Sequence, residues 1–71
     1  MKTMSAFTAV LREEMETTQR SLEAAQQAGL PFEVHLHSAR LLDLLDRAER
    51  NSVDTTGWVP EASLSMAVDY A

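Results

Sequence analysis

Gly29-Leu30-Pro31 divides the amino-terminal part of the chain into two segments whose apolar residues recur at helical spacing. Glycine readily adopts the left-handed conformation that ends many helices, and the residue after it packs back on the helix. Proline lacks the amide hydrogen that a continuing helix needs, but it fits the first turn of a new helix. The stretch therefore predicts a helical hairpin, with helices over about residues 4–28 and 31–50 and a turn at 29–31.

The first predicted helix combines an apolar stripe with a charged opposite face. Its start is predicted near Thr3 or Ser5, because either side chain can cap the amino end of a helix. On the charged face Glu16 precedes Arg20 by four residues, which is the favourable order for a helical ion pair. The apolar stripe follows steps of three or four residues and indicates a packing seam. It consists of Met4, Phe7, Leu11, Met15, Thr18, Leu22 and Ala25.

The second predicted helix carries a wider apolar face than one neighbouring helix covers. Glu33 suits the positive end of the helix dipole, and ion pairs are expected between Asp43 and Arg47 and between Asp46 and Arg50. We therefore expect another surface to cover the excess apolar area. The apolar face contains Val34, Leu41, Leu42, Leu44, Leu45 and Ala48.

Residues 32–37 admit a second interpretation, because their apolar and polar residues alternate as in a half-buried strand. No other run of comparable alternation exists to pair with such a strand, and the continuation is leucine-rich. We therefore prefer an early helix start, with Asn51 and Ser52 ending the helix.

Residues 52–71 form a linker and tail of different composition from the hairpin of residues 1–51. The linker is rich in turn-forming residues, and residues 60–69 predict a short helix with Leu64, Ala67 and Val68 on one side. Trp58 has two interpretations: it packs across the open end of its own hairpin, which we favour, or it anchors a partner.

The small size of the chain favours association. A domain of about 60 residues buries only about 60% of the surface its unfolded chain exposes, and a chain of 71 residues with no cysteine has no disulfide to compensate. The predicted fold class is all-α, an antiparallel two-helix hairpin with a tail or short third helix that forms a homodimeric four-helix bundle. The predicted interface residues are Phe7, Leu11, Met15, Leu22, Leu41, Leu42, Leu44, Leu45 and Trp58.

No catalytic, cofactor-binding or metal site is predicted. Hydrolase and phosphate-binding motifs are absent from the sequence. His35 and His37 are two residues apart, so on a helix they point about 200° away from each other and cannot share a metal. The acidic cluster lacks the Glu-x-x-His pattern of metal-binding bundles. That cluster consists of Glu13, Glu14, Glu16 and Glu23.

The predicted function is that of a small non-enzymatic interaction module, an adaptor or scaffold with a protein partner. The alternative is an acidic inhibitor or regulator, of phage or bacterial type, that occupies a basic, nucleic-acid-binding surface of its target. Eleven acidic residues against six basic ones give a formal charge of −5, which disfavours direct binding of nucleic acid. The sequence shows neither a signal peptide nor a membrane span, so a cytoplasmic location is expected.

Overall fold

The computed structural model describes residues 6–70, and within this range the protein is all-α. The helices are α1 (Ala6–Gln27), α2 (Pro31–Arg50) and α3 (Glu61–Tyr70). Residues 32–37 belong to α2, so the strand interpretation is wrong. The expected helix start near Thr3 or Ser5 lies outside the described residues.

The end of α1 is a Schellman motif centred on Gly29. The backbone N–H of Gly29 donates to the carbonyl of Gln26 at 3.1 Å, and that of Leu30 donates to the carbonyl of Ala25 at 3.0 Å. Gly29 has a φ of 68°, which costs glycine little because it has no Cβ. The chain then enters α2 with Pro31 in the first turn.

The end of α2 repeats the same hydrogen-bond pattern with serine in the left-handed position. Ser52 has a φ of 57°, and its N–H donates to the carbonyl of Glu49 at 3.1 Å. The N–H of Val53 donates to the carbonyl of Ala48 at 2.9 Å. A residue with a Cβ is strained in the left-handed conformation. The backbone of Ser52 therefore carries a conformational strain that is absent at Gly29.

Exchanging serine and glycine at these two helix ends is predicted to change stability in opposite directions. Ser52→Gly is expected to raise the free energy of unfolding by about 1 kcal/mol, because it relieves the left-handed strain, and Gly29→Ser is expected to lower it by a similar amount. A Cβ at residue 29 would meet no atom within 4 Å, so the effect there is conformational and not steric. Urea denaturation of both variants measures the two changes. Equal stability of all three proteins would contradict the prediction.

All three helices contribute to one hydrophobic core. The seam of α1 is buried at Leu11, Met15 and Leu22, and α2 buries Leu41 and Leu44 against it. From the carboxyl-terminal part of the chain, the core also receives buried and partly buried side chains. These are Val53, Trp58, Val59, Leu64, Met66 and Ala67.

The surplus apolar face of α2 is covered in part by the chain itself. α3 packs chiefly on α2 and makes fewer contacts with α1. Small side chains allow close packing in the interior, where Ser38, Ser63 and Ala67 are buried. The hydroxyl oxygen of Ser38 has no hydrogen-bond partner among the described residues. Of the three residues predicted on one side of the short helix, Ala67 is buried and Leu64 partly buried, whereas Val68 is exposed.

Candidate interaction surface

The nine residues predicted to form an interface divide into three groups. Five of them are buried within this one chain, namely Leu11, Met15, Leu22, Leu41 and Leu44. Another three are partly buried against the same core, namely Leu42, Leu45 and Trp58. Phe7 is 45% exposed. A partner therefore cannot reach the buried five without displacing part of the core, whereas it can reach Phe7 directly.

Trp58 lies against its own chain. Its ring packs on the hydrophobic core, and the guanidinium of Arg12 lies 5.5 Å from the ring centroid, within the range of a cation–π contact. The neighbouring Val59 is buried in the core. These contacts show that the tryptophan packs on its own chain.

A turn stabilised by Asp54 places Trp58 over α1. The Asp54 carboxylate accepts hydrogen bonds from the Thr56 hydroxyl at 2.6 Å and from the Thr56 backbone N–H at 3.0 Å. The N–H of Trp58 donates to the Thr55 carbonyl at 3.0 Å, and Gly57 supplies the positive φ, 80°, that this turn requires. The Thr56 hydroxyl, followed by its backbone N–H, lowers the pKa of Asp54.

The Asp54 turn predicts a small acid-sensitive contribution to stability. Because the pKa of Asp54 is lower in the folded chain, the contribution is present above the unfolded-state pKa and is lost as pH falls through the folded-state pKa. We expect Thr56→Val to raise the pKa of Asp54 towards its ordinary value. Carbon-detected NMR titration of the Asp54 carboxyl measures this. Thr17→Val, at an exposed site on α1, is the matched control, and equal Asp54 titration in both variants would contradict the prediction.

Large apolar side chains remain exposed at the end of the molecule where α1 turns into α2. Phe32 is 71% exposed and Leu36 is 52% exposed. They lie four residues apart on α2 and thus on one side of the helix, whereas the buried Val34 lies between them in sequence and points away. Leu30 and Tyr70 are also exposed. We call Leu30, Phe32, Leu36 and Tyr70 the turn-end patch.

A shallow groove lies beside Leu30 and Tyr70, on the side of α2 opposite Phe32 and Leu36. It has a volume of about 200 Å³ and is lined by Gln26, Gly29, Leu30, Pro31, Val34 and Tyr70. The Nδ1–H of His35 donates to the Tyr70 carbonyl at 2.6 Å, which ties the end of α3 to the start of α2. On α1, Gln19 donates to the Ser63 hydroxyl of α3 at 3.2 Å.

The turn-end patch was not among the predicted interface residues. The predicted interface residues came from the apolar faces of the first two helices and from Trp58. A usable signal was present, because Phe32 and Leu36 share a side of the helix that the Val34 row does not occupy.

A second exposed apolar pair lies on the amino-terminal part of α1. Phe7 continues the seam that contains Leu11, and Val10, three residues from Phe7, is 56% exposed. We call Phe7 and Val10 the α1 pair.

Ion pairs occupy four of the arginines in the described part of the chain. The expected pairs are confirmed: Arg47 lies 3.4 Å from Asp43, and Arg50 lies 2.6 Å from Asp46. Arg40 of α2 reaches Glu14 of α1 at 3.1 Å. Glu16 pairs with Arg12 at 3.4 Å and not with Arg20, so the expected partner was wrong. All four pairs are substantially exposed to solvent and contribute little to stability.

The other carboxylates form no ion pair with any described residue, and these give the surface its negative character. Between α1 and α2, a polar groove of about 380 Å³ contains Arg20 and Arg40 beside the carboxylates of Glu13 and Glu14. The carboxylates without an ion pair are Glu13, Glu23, Glu33, Glu49, Asp54, Glu61 and Asp69.

The two histidines lie apart from each other on α2. His35 is exposed and hydrogen-bonded to Tyr70, and His37 is partly buried. Across residues 6–70, no three side chains of the types that bind metals come together in a group that could hold an ion.

Comparison with protein-family models, curated proteins and solved structures finds no match for this chain. None of the helices within residues 6–70 combines the length and the apolar character needed to cross a bilayer.

Proposed function

We propose that this chain is a small non-enzymatic protein–protein interaction module, an adaptor or scaffold that binds through exposed apolar helical surfaces. The observation that supports this most strongly is the exposure of Phe32 and Leu36, because large apolar side chains grouped on a surface commonly mark contact sites. The proposed architecture is an antiparallel hairpin of α1 and α2, closed by α3, and a cytoplasmic location suits a chain without cysteine.

Self-association is part of the proposal, and we assign it to the α1 pair. The leucines that suggested a dimer are buried or partly buried within the chain, whereas Phe7 continues the seam of α1 and Val10 is exposed beside it. Contact between the α1 pairs of two copies would bring two hairpins together as a homodimeric four-helix bundle. The turn-end patch stays available for a different protein, as an adaptor requires.

Sedimentation velocity at micromolar concentrations tests the self-association. We expect the unmodified protein to sediment as a dimer and the Phe7→Ser/Val10→Ser variant as a monomer with an unchanged circular dichroism spectrum. Phe32→Ser/Leu36→Ser removes another exposed apolar pair, on α2, and is the matched control, which should remain dimeric. A monomeric unmodified protein at every concentration would reject the dimer.

A second candidate function is an acidic inhibitor or regulator that occupies the basic surface of a nucleic-acid-binding target. The carboxylates without ion pairs favour it, because they would attract such a surface over long distances. The same charge disfavours direct nucleic-acid binding by this chain. Dependence on salt separates the two candidates: binding by an inhibitor of this type weakens steeply as ionic strength rises, whereas an apolar contact changes little.

A further inference from the structure

We propose that the turn-end patch binds a basic amphipathic helical segment of a partner protein. This inference rests on the proposed function and names the chemistry of its partner. Two properties of the patch support it: the shape and exposure of its apolar residues, and the sign of the charge around them.

The apolar part of the patch suits one side of a helix. Phe32 and Leu36 form a short exposed row along α2, whereas Leu30 and Tyr70 border the groove on the Val34 side of the helix. Amphipathic helices are recognised through apolar side chains at spacings of three and four residues, and the four-residue spacing of Phe32 and Leu36 suits such a partner. Both sides of the groove are held in position, since the Schellman motif fixes Leu30 and the His35 hydrogen bond fixes the backbone of Tyr70.

Three carboxylates are adjacent to the patch in sequence or lie along α1 towards the groove. Glu33 is adjacent to Phe32 in sequence, and Asp69 is adjacent to Tyr70. Glu23 lies on α1 between Gln19, which contacts α3, and Gln26, which lines the groove. None of these three carboxylates forms an ion pair with a described residue. The four paired arginines are bound elsewhere, and Arg20 lines the polar groove.

The helix dipoles add to this negative character. α1 and α3 both end beside the groove, and neither has a basic residue in its last turn. α2 begins at the groove, but Glu33 in its first turn offsets the positive end of its dipole. In contrast, the carboxyl end of α2 carries Arg47 and Arg50. A cationic partner is therefore complementary to the turn-end patch and not to the opposite end of α2.

The test uses the full chain, labelled with ¹⁵N, and a synthetic peptide of leucine and lysine with its leucines on one face of a helix. We expect saturable binding, with amide shift changes centred on Leu30, Phe32, Leu36 and Tyr70. Two control peptides separate the contributions. One keeps the composition but scrambles the leucine positions, and the other replaces lysine by glutamate; both should bind at least about tenfold more weakly.

Variants of the protein locate the binding. Phe32→Ser/Leu36→Ser should weaken binding by about tenfold or more, and Glu33→Gln/Asp69→Asn should weaken it several-fold and reduce its dependence on salt. The matched controls are Val68→Ser, an apolar exposed site on α3, and Glu13→Gln, a carboxylate without an ion pair to a described residue; both should bind as the unmodified protein does. Thermal melts confirm that each variant is folded.

Three outcomes would overturn the inference. The first is equal binding of the scrambled peptide, which would show a general attraction to an acidic protein. The second is a loss of binding in the controls Val68→Ser and Glu13→Gln that is as large as the loss in the turn-end variants. The third is a change in the amide chemical shifts of the turn-end patch with protein concentration in the absence of peptide. This would show that a second copy occupies the patch. Loss of the dimer in Phe7→Ser/Val10→Ser is measured independently, so the proposed function can stand when this inference fails.

Discussion

Leu41→Ala is expected to lower the free energy of unfolding by about 2–5 kcal/mol, because it removes a fully buried side chain and leaves a cavity. Leu41 is 0% exposed and lies in the core shared by all three helices. A chain of 71 residues has a total stability of about 4–11 kcal/mol at typical values per residue. The variant is therefore expected to lose a large fraction of this stability and to unfold at a clearly lower temperature and urea concentration.

Leu36→Ala is the matched control for this prediction, because it makes the same substitution on the same helix at a side chain that is 52% exposed. Its effect on the free energy of unfolding should stay within about 0.5–1 kcal/mol. Thermal and urea denaturation followed by circular dichroism measure both variants. A comparable loss of unfolding free energy in the Leu41→Ala and Leu36→Ala variants would show that Leu41 is not in the core.

Trp58→Ala is expected to lower the free energy of unfolding by about 1–3 kcal/mol, less than for a fully buried tryptophan because the ring is only partly buried. The substitution removes packing on the core and the contact with Arg12. Trp58→Phe keeps an aromatic ring at the site and should lower the free energy of unfolding by less than half as much. The melting temperature of each variant measures the effect.

The same variants decide between the two interpretations of Trp58. A structural tryptophan predicts that Trp58→Ala lowers the melting temperature while dimerisation and peptide binding persist below the transition. An anchor for a partner predicts unchanged melting with loss of one of these associations. The contacts of Trp58 with its own chain favour the first result.

The sequence was sufficient to predict the all-α class, because that class depends on local signals. Gly29 and Pro31 mark the break between α1 and α2. The seam of α1 follows directly from the spacing of its apolar residues. The buried side chains of the seam are those that recur at steps of three or four residues from Leu11 to Ala25.

The features that sequence reasoning missed depend on which segments meet in three dimensions. Glu16 has basic residues four positions away on both sides, so only the packed helix selects Arg12 as its partner. The cover of the leucine face depends on the path of residues 51–60, which bring α3 back onto α2. Ser52 escaped notice as a left-handed residue because serine seldom takes that conformation.

Packing between helices that are adjacent in sequence also affects how the chain folds. Each helix packs mainly on one that is adjacent in sequence, across connections at residues 28–30 and 51–60. Short-range topologies of this kind close small loops and fold within microseconds to milliseconds. Because closing a shorter connection costs less entropy, we expect α1 and α2 to meet first and α3 to pack last.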